Sequence, residues 1–529
     1  MNLQRKLRKE NFETFLVLCQ DVSCVSGSAF NLTIFSLFLH CRRRMLFDTR
    51  LNSRNLTCAS QLAHQARLDA LAFLVGVLLA KLLTLLIVST GRVGLSSLES
   101  TSSTRKLRGE IGVLVPVIPD ISHTFIYRQI LEMLRQGARF DVFALEKGDY
   151  SILHLESKAL LERTIFIGKL SEGRYLLLYF YFLLIHPKRL TRLIRFYKSQ
   201  GNGTFLFLDF AGLKNTLHPS AGIPLAWELM RRNIEYLHVY GSYFPSTRGL
   251  VVSFLLNIPF SITAYVDFDH DYEFKTFSEK VELARFTVAT TQFCANRIHS
   301  LTSDALFKKV YVIYFGVDEN LGTRELGTGP ESFPIFVAVG RLVKKKGFDY
   351  LIRAVAIMKS RGFNISAVII GDGPDKGRLI SLSNALKTEN EVHFVGSLPN
   401  DQVAERYLKP QNILIAPSIY ARGDAEERDG IPTVLLEAMI LGVPVITTEV
   451  SGIPELISHE KNGILVEPQN EVALANAMEH LIKNINLKQR LGEEGRKTIL
   501  RNFTVQKSSS LLWALIERES VLKNHQKSD

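Results

Sequence analysis

What most constrains this chain is an alternation. From residue 111 on, short and nearly continuous apolar runs alternate with longer stretches whose apolar residues recur at helical spacing. IGVLVPVIP reads as a strand covered on both faces, as in a parallel sheet. The loop DISHT leads into FIYRQILEMLRQG, a helix that stops at Gly137. FDVFALE is the next strand, and strand–helix–strand units of this kind build parallel sheets with helices on their faces. IEYLHVYG, FSITAYV, RFTVATT and KVYVIYFG continue the series as strands. After LGTRELGTGPESFP a second series opens with FPIFVAVGR and runs through ISAVIIGDGP, VHFVGSL, NILIAPS, VPVITTEV and ILVEP. The pattern predicts an α/β chain of two Rossmann-like doubly wound domains, residues 109–325 and 330–502, facing a central crevice. A C-terminal helix and tail occupy 503–529. Ligands bind such sheets in the crevice outside the carboxyl ends of the strands.

Charge separates the first fifth of the chain from the rest. The formal net charge is +12, but residues 1–108 hold fifteen Lys and Arg against six Asp and Glu, leaving a nearly neutral body. Nucleic acid is therefore not an expected partner. Four of the five cysteines (Cys19, Cys24, Cys41, Cys58) lie in the same extension, in no zinc-like spacing and with no sign of a disulfide framework. The extension is irregular or helical, with basic clusters such as Arg42, Arg43 and Arg44. Its stretch 70–88 is just long enough for a membrane span, although Lys81 interrupts it. An amphipathic or loosely packed helix is the other reading. A second apolar run, YLLLYFYFLLI, is too short to span a bilayer. With Lys188, Arg189, Arg192, Arg195 and Lys198 following, it suits either a helix at an anionic interface or a core helix and a solvated basic one.

Four segments of the second series fall at strand ends or helix starts. In GRLVKKKG, Arg341 follows a strand and Lys346 lies five residues on. A guanidinium fork and an ammonium so placed match a diphosphate and can neutralise a departing phosphate, although Gly-Arg after a strand is also an ordinary turn. IIGDGP supplies Gly371 and Gly373, where backbone can approach phosphate closely; a plain strand-to-helix turn explains them equally well. VGSLPNDQV places Gly396 at a strand end. In ERDGIPTVLLEAMILGVPVI, Asp429 lies in a loop and Glu437 about one turn inside the following helix, with the Gly430 and Ile431 amides near that helix's N-terminus. Capping explains Asp429 alone but not Glu437.

In this order and spacing the four segments, with SGIPELI and NGILVEP, resemble the retaining glycosyltransferases of family 4, which have the GT-B fold. The likeness covers about residues 110–505. PVIPDISHTFIYRQILEMLRQGARFDVFAL is similar to the opening of the subgroup that builds colanic acid and other surface polysaccharides. The resemblance implies a metal-independent enzyme of the hexosyltransferase type, without cofactor. It would move a sugar from a nucleotide-sugar donor to a polysaccharide or lipid-linked oligosaccharide acceptor with retention of configuration, in cell-envelope, exopolysaccharide or lipopolysaccharide biosynthesis. Arg341 and Lys346 would hold the diphosphate, Glu437 the ribose hydroxyls and Asp429 the donor sugar. Gly371, Gly373, Gly396, Gly430 and Ile431 would line the donor site.

Asp429 stands where the family's E-x(7)-E motif has its first glutamate, and Tyr265 where a histidine is usual near the reacting centre. Tyr240 replaces a second histidine, while His238 is retained. Ser122, Thr124, His238 and Tyr240 are the acceptor-side candidates. These departures motivate one alternative, a catalytically weak homologue that binds nucleotide sugar or glycan; a GT-B epimerase acting on the nucleotide sugar is a second, which the SHTFI loop and the GIPELI and NGILVEP segments fit less well. The expected place is the cytoplasm, at the inner face of the membrane.

Overall fold

A computed structural model of the protein describes residues 110–120, 123–148, 155–167, 172–199, 222–242, 244–265, 277–323, 335–420 and 429–521. All belong to one unit of the chain, Glu99–Asp529. The extension 1–108, its stretch 70–88, and Ser122 lie outside the described residues.

Seven strands form the first sheet: β1 (Glu110–Ile118), β2 (Asp141–Lys147), β3 (Thr164–Phe166), β4 (Ile234–Tyr240), β5 (Phe260–Ala264), β6 (Thr287–Ala289) and β7 (Val310–Val312). They are hydrogen-bonded in the order β3-β2-β1-β4-β5-β6-β7, every pair parallel. Val113, Leu114 and Val115 are all inaccessible to solvent, which is why β1 reads as an unbroken apolar run rather than an alternation. Helix α1 (Thr124–Arg135) turns Ile126, Tyr127, Ile130 and Met133 onto the sheet. The Tyr127 hydroxyl donates to the carbonyl of Val117, tying α1 to β1. Further round the lobe run α2 (Glu172–Ile185), α3 (Pro187–Ser199), α4 (Phe244–Leu256) and α5 (Gln292–Leu301).

The second sheet has six parallel strands, β8 (Ile335–Val339), β9 (Ser366–Ile370), β10 (Val392–Gly396), β11 (Ile413–Ala416), β12 (Val445–Thr448) and β13 (Ile464–Val466), in the order β10-β9-β8-β11-β12-β13. Its helices include α6 (Phe348–Ser360), α7 (Asn400–Arg406), α8 (Thr433–Ile440), the short α9 (Ile453–Leu456), α10 (Glu471–Lys483) and α11 (Ile485–Asn502). In each sheet the order reverses beside its first strand, between β1 and β4 and between β8 and β11. Those switch points open the crevices in which doubly wound sheets bind ligands. This is the GT-B architecture that the resemblance implies.

The last helix, α12 (Val505–Val521), does not stay with the second lobe. Leu512 and Ile516 join the core of the first, and the Ser509 hydroxyl donates to the carbonyl of Gln129 in α1. The chain thus passes between lobes twice, and the two passages lie side by side. Val317 N–H donates to Phe503 O and Val505 N–H to Val317 O. Gly316 has no room for a side chain, since a Cβ there would stand 2.2 Å from the backbone of Thr504.

Candidate active site

The donor-side cluster is built on the switch point of the second sheet. After β8 the chain makes a 3-10 turn over Lys344–Lys346 and leaves it through Gly347 in the left-handed region, φ 64°. A Cβ on Gly347 would stand 1.9 Å from the carbonyl oxygen of Pro417, and Ile419 N–H donates to Lys345 O. The turn is therefore pinned to the segment that follows β11, which carries its lysines to Asp429. Lys346 Nζ is 2.7 Å from Asp429 Oδ2, Lys345 Nζ is 3.6 Å from Oδ1, and the Ser418 hydroxyl donates to Oδ2 at 3.3 Å. Burial pushes the Asp429 carboxyl upward, but Lys346 and Lys345 more than reverse this and hold it below the usual carboxylate range. Two ammonium groups thus face one carboxylate. Arg341, one residue beyond Gly340, is exposed.

The glycines of IIGDGP serve packing first. Gly371 (φ 144°) and Gly373 lie against the turn after β8: a Cβ on the former would stand 1.9 Å from Gly340 O, on the latter 2.4 Å from Leu342 O. Backbone bonds lace the turns together, Gly340 N–H to Ile370 O, Leu342 N–H to Asp372 O, Asp375 N–H to Leu342 O and Gly371 N–H to Gly396 O. Gly396 has a positive φ of 85° and open space where a Cβ would be.

Glu437 sits on α8 among Val434, Leu435, Leu436, Ala438, Met439 and Ile440, all buried, and is itself 8% exposed. Its carboxylate is not left bare. Arg128, from α1 of the first lobe, donates to Oε1 at 2.7 Å, and Asn400 at the start of α7 reaches the same oxygen at 3.5 Å. Gly430 and Ile431 lie partly exposed just before α8.

On the first lobe, His123 precedes α1 and Tyr265 follows β5. Their ring centroids are 6.4 Å apart, and Phe125 stands edge-on to Tyr265 at 6.0 Å. His123 Nδ1 faces Asp120 Oδ2 at 3.5 Å. The Tyr265 hydroxyl lies over Gly241, where a Cβ would come within 3.3 Å of it.

Three acceptor-side candidates need correcting. His238 is fully buried in β4, its ring nitrogens bonded to Ser261 Oγ at 2.8 Å and Thr263 Oγ1 at 3.0 Å, and burial lowers it to about 3. Tyr240 is fully buried too, donating to Gln129 Oε1 at 2.8 Å, and burial holds its hydroxyl well above its ordinary range. Both point into the core beneath the crevice, because side chains of a doubly covered strand have no solvent face. Thr124, 3% exposed at the first turn of α1, is likewise packed away. Sequence reasoning missed Arg128, Lys345, Ser418, Asn400 and His123. Only Lys345 and His123 carried a signal, each being adjacent to a residue already singled out.

Glu455 of the GIPEL segment bridges the lobes as well. Its carboxylate accepts from the Gln292 and Phe293 amides at 2.6 and 2.7 Å, capping the N-terminus of α5. On α3, Leu190 and Leu193 are buried and Arg189 donates to the last carbonyls of α4, Leu255 and Leu256, while Lys188, Arg192 and Arg195 are exposed along one face. Among the described residues no helix is long and apolar enough to cross a membrane, and no three His, Cys, Asp or Glu side chains cluster as a metal ion would require.

With this geometry in place, comparison with known proteins gives its class. Residues 325–498 match the family described as "Glycosyl transferases group 1", so the second lobe is a domain of that group. AmsK of Erwinia amylovora, an amylovoran biosynthesis glycosyltransferase, is 36% identical over 30% of this chain and 40% of its own length. WcaL of Escherichia coli, a glycosyltransferase assigned to colanic acid biosynthesis, is 34% identical over 32% of this chain and 41% of its own. A Methanocaldococcus jannaschii glycosyltransferase, MJ1607, is 31% identical over 40% and 53%. The chain thus spans about half or less of the length of these curated relatives. Among solved structures, Anabaena HepE in complex with UDP superposes with a TM-score of 0.57 at 17% identity, covering 78% of this chain and 100% of that one. Sucrose-phosphate synthase of Thermosynechococcus elongatus gives 0.59 at 18%, with 78% and 100% covered. The fold is that of a GT-B glycosyltransferase, and the resemblance to polysaccharide-building members of the group is borne out.

Proposed function

We propose that the protein is a glycosyltransferase that moves a hexosyl group from a nucleotide-sugar donor to a polysaccharide or lipid-linked oligosaccharide acceptor, with retention and without a metal ion. The observation that carries this reading is the Lys345–Lys346–Asp429 cluster at the β8/β11 switch point, with Glu437 eight residues beyond Asp429 on the helix that follows. Diphosphate oxygens entering there meet two ammonium groups, and Lys346 can exchange its carboxylate partner for a departing phosphate as the glycosidic bond breaks. Exposed Arg341 adds a guanidinium fork to the same end of the sheet. Asp429, ionised by its lysines, accepts from donor-sugar hydroxyls, and Glu437 accepts from the ribose. On the opposite lobe Tyr265 and His123 present a hydroxyl and an imidazole to the reacting sugar.

The polymers named for AmsK and WcaL suggest a cell-surface polysaccharide as the product class. The exposed cations of α3 suit a lobe resting on anionic lipid at the inner face of the membrane, where lipid-linked acceptors reside. Burial of His238 and Tyr240 weakens the non-catalytic alternative, since neither position faces the crevice in which its identity would matter. The test is nucleotide release from a panel of nucleotide sugars, with and without lipid-linked acceptors. One donor should turn over, and Lys346→Ala should lower kcat by on the order of a hundredfold, the usual effect of losing a donor aimed at developing negative charge. Sugar interconversion without nucleotide release would instead identify an epimerase.

A further inference from the structure

The ion pair between Arg128 and Glu437 joins the two lobes at a residue the proposed reaction needs. Its partners are unequal in freedom. Arg128 is flanked on α1 by two anchored neighbours, Tyr127, bonded to Val117 O, and Gln129, whose side chain accepts from Tyr240 and whose carbonyl accepts from Ser509 of α12. The backbone beneath the guanidinium is therefore fixed from three directions, by β1, β4 and the returning C-terminal helix. Glu437 ends a flexible side chain on a helix whose other residues from Val434 to Ile440 are apolar and buried. Both of its hydrogen-bond partners among the described residues fall on Oε1.

We propose that Arg128 is a positioning residue. From the first lobe it fixes Oε1 of Glu437 so that Oε2 is presented to the vicinal hydroxyls of the nucleotide's ribose, and the ribose is bound only with the lobes in register. The proposal rests on the reading of Glu437 as the ribose acceptor. A guanidinium suits the task better than an ammonium, because its planar fork sets direction as well as charge. A carboxylate so placed would rotate toward water if its partner were lost, and would then discriminate poorly between ribose and deoxyribose.

The test uses the full chain and isothermal titration with ADP, GDP and UDP and their 2′-deoxy counterparts. For the diphosphate that wild type binds, Arg128→Met should weaken binding by about tenfold or more, the effect of losing one charge-assisted hydrogen bond's worth of orientation. The 2′-deoxy analogue, already weaker, should lose much less. Arg128→Lys should fall between wild type and Arg128→Met, and serves as the working variant if the methionine substitution prevents folding. The double variant Arg128→Met/Glu437→Gln should bind no worse than Glu437→Gln alone, as expected when one residue acts through the other. Equal losses for ribose and deoxyribose forms, additive effects in the double variant, or wild-type affinity in Arg128→Lys and Arg128→Met would overturn the proposal while leaving the donor reading intact. Failure of the wild-type chain to bind any of the diphosphates would bring down both.

Discussion

At the scale of single residues, the same side-chain chemistry means different things on the two sides of the crevice floor. Asp429 keeps its charge because two ammonium groups face it, and it remains an acceptor for hydroxyls. His238, four residues into a strand covered on both faces, loses its charge because it is buried among the Tyr240 and Phe286 rings and the Ser261 and Thr263 hydroxyls, with no carboxylate against it in the described residues. Burial lowers its imidazole to about 3, against about 6.5 in the unfolded chain. Between those values the unfolded chain takes up a proton that the folded one refuses. Its contribution to stability is therefore fully present above pH 6.5 and is lost as the pH falls toward 3. His238→Leu should remove that acid limb, visible as a shallower fall of Tm below pH 6.5. At neutral pH it should cost about 1–3 kcal/mol for each hydroxyl left unpaired, with the donor KM unchanged. A changed KM would put His238 back in the site. The sequence puts Lys346 in the turn after a strand, Asp429 in a loop and Glu437 inside the following helix, and each lies there in the structure. It could not show that His238 and Tyr240 point downward, because strand alternation says nothing when both faces are buried.

Among elements, the glycine turns divide into those that packing demands and one that it does not. The turns after β8, β9 and β10 are laced edge to edge, and this holds the lysine turn level with the switch point. Gly371 is the contact at which two backbones meet without an intervening side chain. Gly371→Ala should destabilise the protein by about 3 kcal/mol or more, since the methyl would meet Gly340 O at 1.9 Å in a backbone conformation hostile to L-residues. Gly396→Ala, with the same sign of φ but open space, should cost only about 1 kcal/mol. Urea unfolding of the two variants compares them directly; equal losses would show that strain rather than contact governs both positions. Strand and helix identities were legible because the period of apolar residues changes from run to run. Which turns touch was not, since it depends on the order in which the strands are laid side by side.

For the whole molecule, the links between the lobes among the described residues include two adjacent chain passages and two carboxylates. Glu437 is held from the first lobe by Arg128, and Glu455 reaches from the second to the N-terminus of α5. A carboxylate on two helix-terminal amides is worth about 0.5–2 kcal/mol. Glu455→Ala should lower stability by about that amount and speed hydrogen exchange at the Gln292 and Phe293 amides, leaving the β1 amides protected. Unchanged exchange at the two α5 amides would mean that the contact is not maintained in solution. The helix α12 adds a constraint of its own, since it runs from the second lobe back to α1 and carries Ser509 to the Gln129 carbonyl.

The sequence by itself determined the two doubly wound sheets, the places of Lys346 in the turn after a strand, of Asp429 in a loop and of Glu437 inside the following helix, and the near neutrality of the body once the basic first fifth is set apart. Those follow from local rules: periodicity, turn chemistry and helix starts are written within a few residues of where they act. Only the tertiary structure decided that Lys345 shares Asp429 with Lys346 and that His238 and Tyr240 are core residues. It alone showed that α12 returns to the first lobe and that Arg128 stands against a carboxylate 309 residues away. Such pairings depend on the relative placement of segments far apart in the chain. That placement is set by the summed packing of both cores, which no window of sequence contains.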